Sequence, residues 1–268
     1  MQQFPLIVVL SITIPTNLFA AKITELQIIN GENATDGEFP YMVEIRNFYK
    51  CFVCGGTIIA PNWILTAGHC IDEDSLGQSG NYTIVYGTNQ LHTCLSPDND
   101  SYTVPVKTQY RHPNFEFIRE IPSNDLGLLE LERNISLYEL AQPVKLTEEN
   151  EDVLENISGN ITGWGLTDSG ILIAESLQKI RLPVISNSDC LAKIDVSFPR
   201  VYNETQCFCT DEENNGQCNG DSGGPFVSNG VQYGVISWSL KPCGKYPGVF
   251  VRIALPEYRQ WIKNITGI

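Results

Sequence analysis

The segment Gly220-Asp221-Ser222-Gly223-Gly224-Pro225 sets a serine on a tight, glycine-flanked turn, just after Cys218. Glycines on both sides let the backbone approach another molecule closely and turn N–H groups inward. A plain serine is a weak nucleophile, so the turn does chemistry only with a base in reach. Two further segments supply the rest: Thr66-Ala67-Gly68-His69-Cys70 and Asn124-Asp125-Leu126-Gly127-Leu128-Leu129. In that arrangement His69 takes the proton from Ser222 and later returns it. Asp125 fixes the imidazole tautomer and stabilises the imidazolium. The order His, Asp, Ser is one of the orders in which such triads occur. The bland alternatives are a turn serine, a structural histidine and a solvated aspartate. His92 and His112, the two other histidines, lack the Ala-Gly-His-Cys setting of His69.

The elements that must hold these residues read as short strands. Apolar runs recur at Gly55–Ile59, Trp63–Thr66, Tyr82–Tyr86, Leu128–Leu131, Ile180–Val184 and Tyr233–Trp238. Their length and their β-branched and aromatic residues favour strand over helix. Turn signals such as Pro61-Asn62, Asn214-Asn215-Gly216 and Asn229-Gly230 separate them. Many short strands at even spacing predict a sandwich or barrel. One helix is expected, at the C-terminus near residues 256–262, with Pro256 in its first turn.

Bulk properties exclude several classes. The chain has 268 residues, 42% hydrophobic and 18% charged, with a formal net charge of −14. That describes a globular protein without a basic patch, so no nucleic-acid or anionic-membrane partner is expected. Residues 4–15 are almost entirely apolar and small neutral residues follow. This reads as a secretory signal peptide over residues 1–20, with residues 21–27 left as a propeptide. The run is too short to span a bilayer comfortably. Eight Asn-x-Ser/Thr sequons, at Asn33, Asn81, Asn99, Asn134, Asn156, Asn160, Asn203 and Asn264, agree with a secreted, extracellular glycoprotein. Nine cysteines in a secreted chain imply disulfides with at least one thiol left over. A lone Cys51-x-x-Cys54 is weak evidence for zinc, and no metal or cofactor is expected.

The three chemistry-bearing segments resemble the trypsin/chymotrypsin family of serine proteases. Ile28-Ile29-Asn30-Gly31, Ile161-Thr162-Gly163-Trp164-Gly165, Ser237-Trp238 and Pro247-Gly248-Val249-Phe250 extend the likeness from Ile28 to the C-terminus. The resemblance implies an all-β fold of two packed six-stranded antiparallel barrels with a short C-terminal helix. The first barrel would span about residues 28–140 and the second about 141–268, with the site in the cleft between them. It implies a monomeric endopeptidase acting on proteins or peptides, answering to an activating protease and open to protein inhibitors. A catalytically silent homologue serving as a binding module is the runner-up, and an esterase the third reading.

The same resemblance assigns further roles. The N–H groups of Gly220 and Ser222 would form an oxyanion hole. Cleavage after Gln27 would free an ammonium on Ile28 to pair with Asp221, making the uncut chain a zymogen. That pairing raises the amine above its free value of about 7.7–8.0, so its stabilisation is lost as pH rises through the raised value. With His69 required neutral, activity from neutral to mildly alkaline pH is expected. Cys54–Cys70, Cys190–Cys209 and Cys218–Cys243 would be bridges, and Cys51–Cys94 is the proposed fourth, leaving Cys207 free. Gly216 falls at the floor of the substrate pocket, Gln217 beside it, and Ser237, Trp238, Ser239 and Gly248 along its walls. With no acid at Gly216, cleavage after uncharged residues is expected. Glu212 or Glu213 turning inward would restore a basic preference. Gly68 and Gly127 stand where the family more often has alanine, which is expected to loosen local packing.

Overall fold

Trp63-Ile64-Leu65-Thr66 is buried at all four positions, as a strand covered on both faces must be. It is one stave of a closed barrel. The computed structural model describes residues 28–71, 81–92, 94, 101–151, 155, 157–166, 173–194, 202–211 and 213–268. The expected signal peptide and propeptide, the sequons at Asn99 and Asn156, and Glu212 lie outside the described residues.

The described elements begin with β1 (Glu32–Asn33), followed by β2 (Met42–Arg46), β3 (Phe52–Ala60), β4 (Trp63–Thr66), β5 (Thr83–Tyr86) and β6 (Thr103–Arg111). A small hairpin of β7 (Glu116–Ile118) and β8 (Ile121–Ser123) precedes β9 (Gly127–Leu131). Strands β2-β3-β4-β9-β6-β5 close on themselves, with β5 pairing back to β2. After β10 (Lys145–Leu146) come β11 (Ser158–Gly163), β12 (Gln178–Ile185), helix α1 (Asn187–Ile194), β13 (Cys207–Thr210), β14 (Pro225–Ser228), β15 (Val231–Ser239) and β16 (Gly248–Arg252). These make the second barrel, β12-β11-β14-β15-β16-β13, closed by β13 on β12. Helix α2 (Pro256–Thr266) ends the chain. The expected all-β architecture of two six-stranded antiparallel barrels and a C-terminal helix is thus observed.

Closure leaves no free barrel edge, and each interior fills with apolar side chains. In the second barrel Phe208 stacks on Phe250 at 5.2 Å between ring centroids. Phe226 meets both edge-on, at 5.3 and 5.7 Å. Ile161, Leu182, Val184 and Ile236 complete that core. The hairpin turn at Asn229-Gly230 has φ of 49° and 78°, the left-handed pair that an Asn-Gly turn accommodates.

The chain's two ends are exchanged between the barrels. Strand β1, before the first barrel, pairs with β12 of the second. Helix α2, after the second barrel, packs on the first: the His112 ring lies 5.2 Å from Tyr258 and 5.1 Å from Trp261. Pro256 is in the first turn of α2 as expected, whereas the helix runs past the expected end at 262 to Thr266, where Gly267 caps it at φ 81°.

Helix α1 was not expected. Its signal is short: Ser186 Oγ accepts from the Asp189 N–H at 3.0 Å and donates to the Asp189 carboxylate at 2.7 Å, a Ser-x-x-Asp variant of the capping box. Only Cys190 and Ile194 of this helix are buried, too little apolar periodicity to register in eight residues.

Tyr258 is fully buried and its hydroxyl donates to Asn124 Oδ1 at 3.0 Å. Truncation to alanine is expected to cost about 3–5 kcal/mol, the range for a buried aromatic. Tyr258→Phe, which loses only the hydrogen bond, should cost about 1 kcal/mol. Urea unfolding of the disulfide-intact chain measures both. Equal midpoints for Tyr258→Ala and the parent would contradict this packing.

Candidate active site

Asp125 is only 1% exposed, so its carboxylate must be satisfied by protein donors. Three reach it. The His69 backbone N–H donates to Oδ1 at 2.8 Å. His69 Nδ1 lies 2.8 Å from Oδ2, and the Ser237 hydroxyl donates to the same oxygen at 2.6 Å. This fixes Nδ1 as the protonated nitrogen and leaves Nε2 as the acceptor facing outward. The first barrel supplies Asp125 and His69, and β15 of the second supplies Ser237.

Local structure explains the placement. His69 rides a single 3₁₀ turn, Gly68–Ile71, directly after β4. Cys54–Cys70, with Cα atoms 6.0 Å apart, ties that turn to β3. Asn124 adopts φ 51°, and its amide is anchored to the Asn114 carbonyl at 2.9 Å. From the second barrel Gln206 Nε2 donates to Asn124 Oδ1 at 3.0 Å. Loosened packing at Gly68 and Gly127 is not found. A Cβ on Gly68 would meet Phe115 at 2.9 Å and the Leu126 carbonyl at 3.0 Å. One on Gly127 would lie 2.7 Å from Ile71. Neighbouring atoms already occupy the space a methyl group would take at either glycine.

Ser222 lies on the turn between Cys218 and β14. Its carbonyl accepts from the Gly55 N–H at 2.9 Å, and the next N–H, of Gly223, donates to Ile236 at 2.9 Å. The turn is therefore clamped to both barrels. Ser222 and His69 line one cavity of about 430 Å³ with Val53, Phe117, Gly220 and Ser237. Among the described residues, the Cys/His cluster with metal-like spacing is Cys54, His69 and Cys70. Its two sulfurs are bonded to each other and offer no thiolate.

Asp221 is the second buried carboxylate, fully enclosed beneath the turn. It accepts from Gly165 N–H and Cys218 N–H, both at 2.8 Å. Gly163 and Gly165 are required here, because a side chain on either would overlap the Asp221 carboxylate. Burial pushes its pKa up to about 6, against the pull of the two N–H donors and the Lys241 charge. Ile28 is wholly buried, Ile29 pairs with Gly216 and Asn30 Nδ2 donates to the Asn214 carbonyl at 2.9 Å. The segment around Ile28 thus docks on the loop at Asn214–Gly216, while among the described residues the Asp221 carboxylate rests on backbone donors.

Of the residues expected at the pocket floor, Gly216 and Gln217 are buried, and Glu213 beside them is exposed. The Gln217 side chain lies against Gly248, where a Cβ would overlap its amide. Its Nε2 donates to the Trp238 carbonyl at 3.3 Å, and its buried Oε1 has no partner among the described residues. On β15, pairing with β14 ends at Val235 and pairing with β16 continues through Trp238 and Ser239. One edge of Ser237–Ser239 is therefore open to an added strand.

The other disulfides are Cys51–Cys94, Cys190–Cys209 and Cys218–Cys243, with Cys207 free and buried. Burial pushes the Cys207 thiol up to about 12, which leaves it unreactive. Two contacts of the site escaped the sequence reading. Ser237 carried no signal for its bond to Asp125, and the Gly163/Gly165 spacing became meaningful only once Asp221 was seen between them.

Two buried carboxylates, a histidine fixed in one tautomer and a clamped serine are thus set between two barrels of the chymotrypsin fold. The comparisons agree. The model of the family described as Trypsin matches residues 28–262. Trypsin Blo t 3 of Blomia tropicalis is 34% identical over 88% of this chain and 85% of its own length. Trypsin 5G1 of Aedes aegypti is 31% identical over 90% of this chain and 86% of its own. Granzyme M of Rattus norvegicus is 31% identical over 91% and 90%. The solved structure of human heparin binding protein superposes with a TM-score of 0.73 at 26% identity, covering 90% of this chain and 97% of that one. The chain belongs to the trypsin family of serine proteases.

A carboxyl whose pKa rises on folding binds its proton more tightly in the folded state. Stability is then fully present below the unfolded value of 3.8 and falls as pH rises to about 6. The uncut chain should lose stability across that window. Asp221→Asn should remove this part of the slope. Glu44, buried in the first barrel and pushed up to about 7, contributes a slope of the same sign in both proteins and cancels in the comparison. Parallel stability-versus-pH curves for the two would refute the assignment.

Proposed function

We propose that this chain is a secreted serine endopeptidase, made as a precursor, that hydrolyses peptide bonds through an acyl-enzyme on Ser222. The carrying observation is that His69, held on Asp125 through both its backbone N–H and Nδ1, opens with Ser222 on one cavity. Ser222 attacks the scissile carbonyl while His69 takes its proton. His69⁺, stabilised by Asp125, then protonates the leaving amine. The N–H groups of Gly220 and Ser222 receive the oxyanion, each donor worth roughly 2.7–4 kcal/mol. Water completes the cycle with His69 again as base. The substrate backbone adds as a strand to the open edge at Ser237–Ser239.

Residues 1–20 serve as signal peptide and residues 21–27 as propeptide, with residues 28–268 the protease domain. Cleavage after Gln27 gives Ile28 an ammonium. Asp221, buried on two backbone donors, is a carboxylate that a cation would stabilise, because desolvation is what raises its pKa. The activating enzyme must accept Gln27, which argues against self-activation by a cut after Arg or Lys.

Cleavage is proposed after uncharged residues. Gly216 brings no charge to the floor, the exposed Glu213 does not turn inward, and the Gln217 amide fills space beside Gly248. That favours small or medium side chains over a long cation.

A fluorophosphonate probe should label the processed chain at Ser222 and leave Ser222→Ala unlabelled. Absence of labelling on the processed form would favour a binding module. A peptide-library digest should show cutting after uncharged residues, and Gln217→Ser should shift it toward larger ones. Dominant cutting after Arg or Lys would overturn the pocket reading.

A further inference from the structure

A second cavity, of about 490 Å³, continues the catalytic one. Pro122 lines both, and Trp238, which lines the second, follows Ser237, which lines the first. Its apolar wall includes Ile118, Ile121, Leu191 and Tyr202. A substrate strand paired with Ser237–Ser239 would lay the side chains upstream of the scissile bond over this cavity.

The rim is formed by Asn203-Glu204-Thr205, one of the sequons. All three residues are exposed. Asn203 Oδ1 accepts from the Thr205 N–H at 3.0 Å. This turn holds the Asn203 side chain on an exposed loop. Among the described residues no partner engages Asn203 Nδ2. The sequons within strands differ. Asn33 Oδ1 accepts from Gln178 at 2.7 Å inside the β1–β12 pair. Asn160 is half-buried between β12 and β14. Exposed turns are where a modifying enzyme reaches the chain.

We propose that Asn203 carries an N-linked oligosaccharide that roofs the second cavity and restricts which upstream substrate residues enter it. The proposal rests on the secretion and protease readings above. In the transfer, Asn203 Nδ2 attacks the anomeric carbon of a lipid-diphosphate-linked oligosaccharide. The C–N bond forms, the C–O bond to the diphosphate breaks, and the diphosphate leaves with that electron pair. The amide gives one proton to a base of the transferase. The sugar then stands over Tyr202 and Trp238, beside the path of the substrate rather than on the reacting atoms. Its effect therefore depends on substrate length.

The test begins with the full chain expressed in a secreting eukaryotic cell. Glycosidase release in heavy-oxygen water marks each occupied asparagine for peptide mapping. The processed enzyme, Asn203→Gln and Thr205→Ala are then compared on two substrates: a single-residue ester, and a tetrapeptide amide with a large aromatic residue at its far upstream end. Asn203 is expected to be occupied. Both variants should cleave the tetrapeptide better by roughly tenfold, the low end of what one apolar pocket contact contributes, with the ester unchanged. Thr205→Ala keeps the asparagine amide and separates loss of sugar from loss of the turn. Sugar at other sequons but not at Asn203 would overturn the proposal alone, as would equal rates on the tetrapeptide. An unmodified secreted chain would overturn it at every sequon at once. A chain that is never secreted would instead refute the secretion reading beneath it, and a secreted, glycosylated chain inert on both substrates the protease reading.

Discussion

The Asp125 carboxylate is the constraint around which the two barrels are arranged. At 1% exposure it cannot rely on water. An unpaired carboxylate in that position costs several kcal/mol. Its donors come from both sides of the interface, two from His69 and one from Ser237. The first barrel supplies the bonds that set the imidazole, and the third donor arrives only when the barrels are docked. Strength and geometry come from one requirement, because the hydrogen bonds that remove the burial penalty also choose the histidine tautomer. The exchange of β1 and α2 between barrels holds that docking from the outside.

Asp221 presents the contrasting case. It is as deeply buried, but its donors are two backbone amides, and it keeps a raised pKa of about 6. One buried acid is compensated by side chains already in place and the other is left short of a cation. In the proposed activation that shortage is the driving force: a new ammonium on Ile28 relieves a cost the uncut chain carries. Ile28–Asn30 docks on the loop at Asn214–Gly216, beside the turn that carries Asp221.

Much of the fold was legible because its signals are local. The runs at Trp63–Thr66 and Tyr233–Trp238 fall within β4 and β15, since strand periodicity and flanking turns lie within a few residues. Pro256 marks the start of α2 for the same reason, while its end at Thr266 lies beyond the expected 262. Helix α1 was missed because two buried residues make no recognisable stripe. Strands β6 and β11 were missed because Lys107, Arg111 and Asn160 break the apolar run on their half-exposed faces.

The sequence by itself determined the reaction-bearing residue types, the fold class and the strand and turn chemistry around them, since each is written in short motifs. It also carried the three family bridges and the position of the uncharged pocket floor. Only the tertiary structure decided that Ser237 completes the shell of Asp125, that Gly163 and Gly165 make room for Asp221, and that Gln217 leans on Gly248. Each of these joins residues tens of positions apart through van der Waals space or a single hydrogen bond. Such contacts have no period and no spacing to read. They exist once two closed barrels are pressed together and every buried polar group has to find a partner.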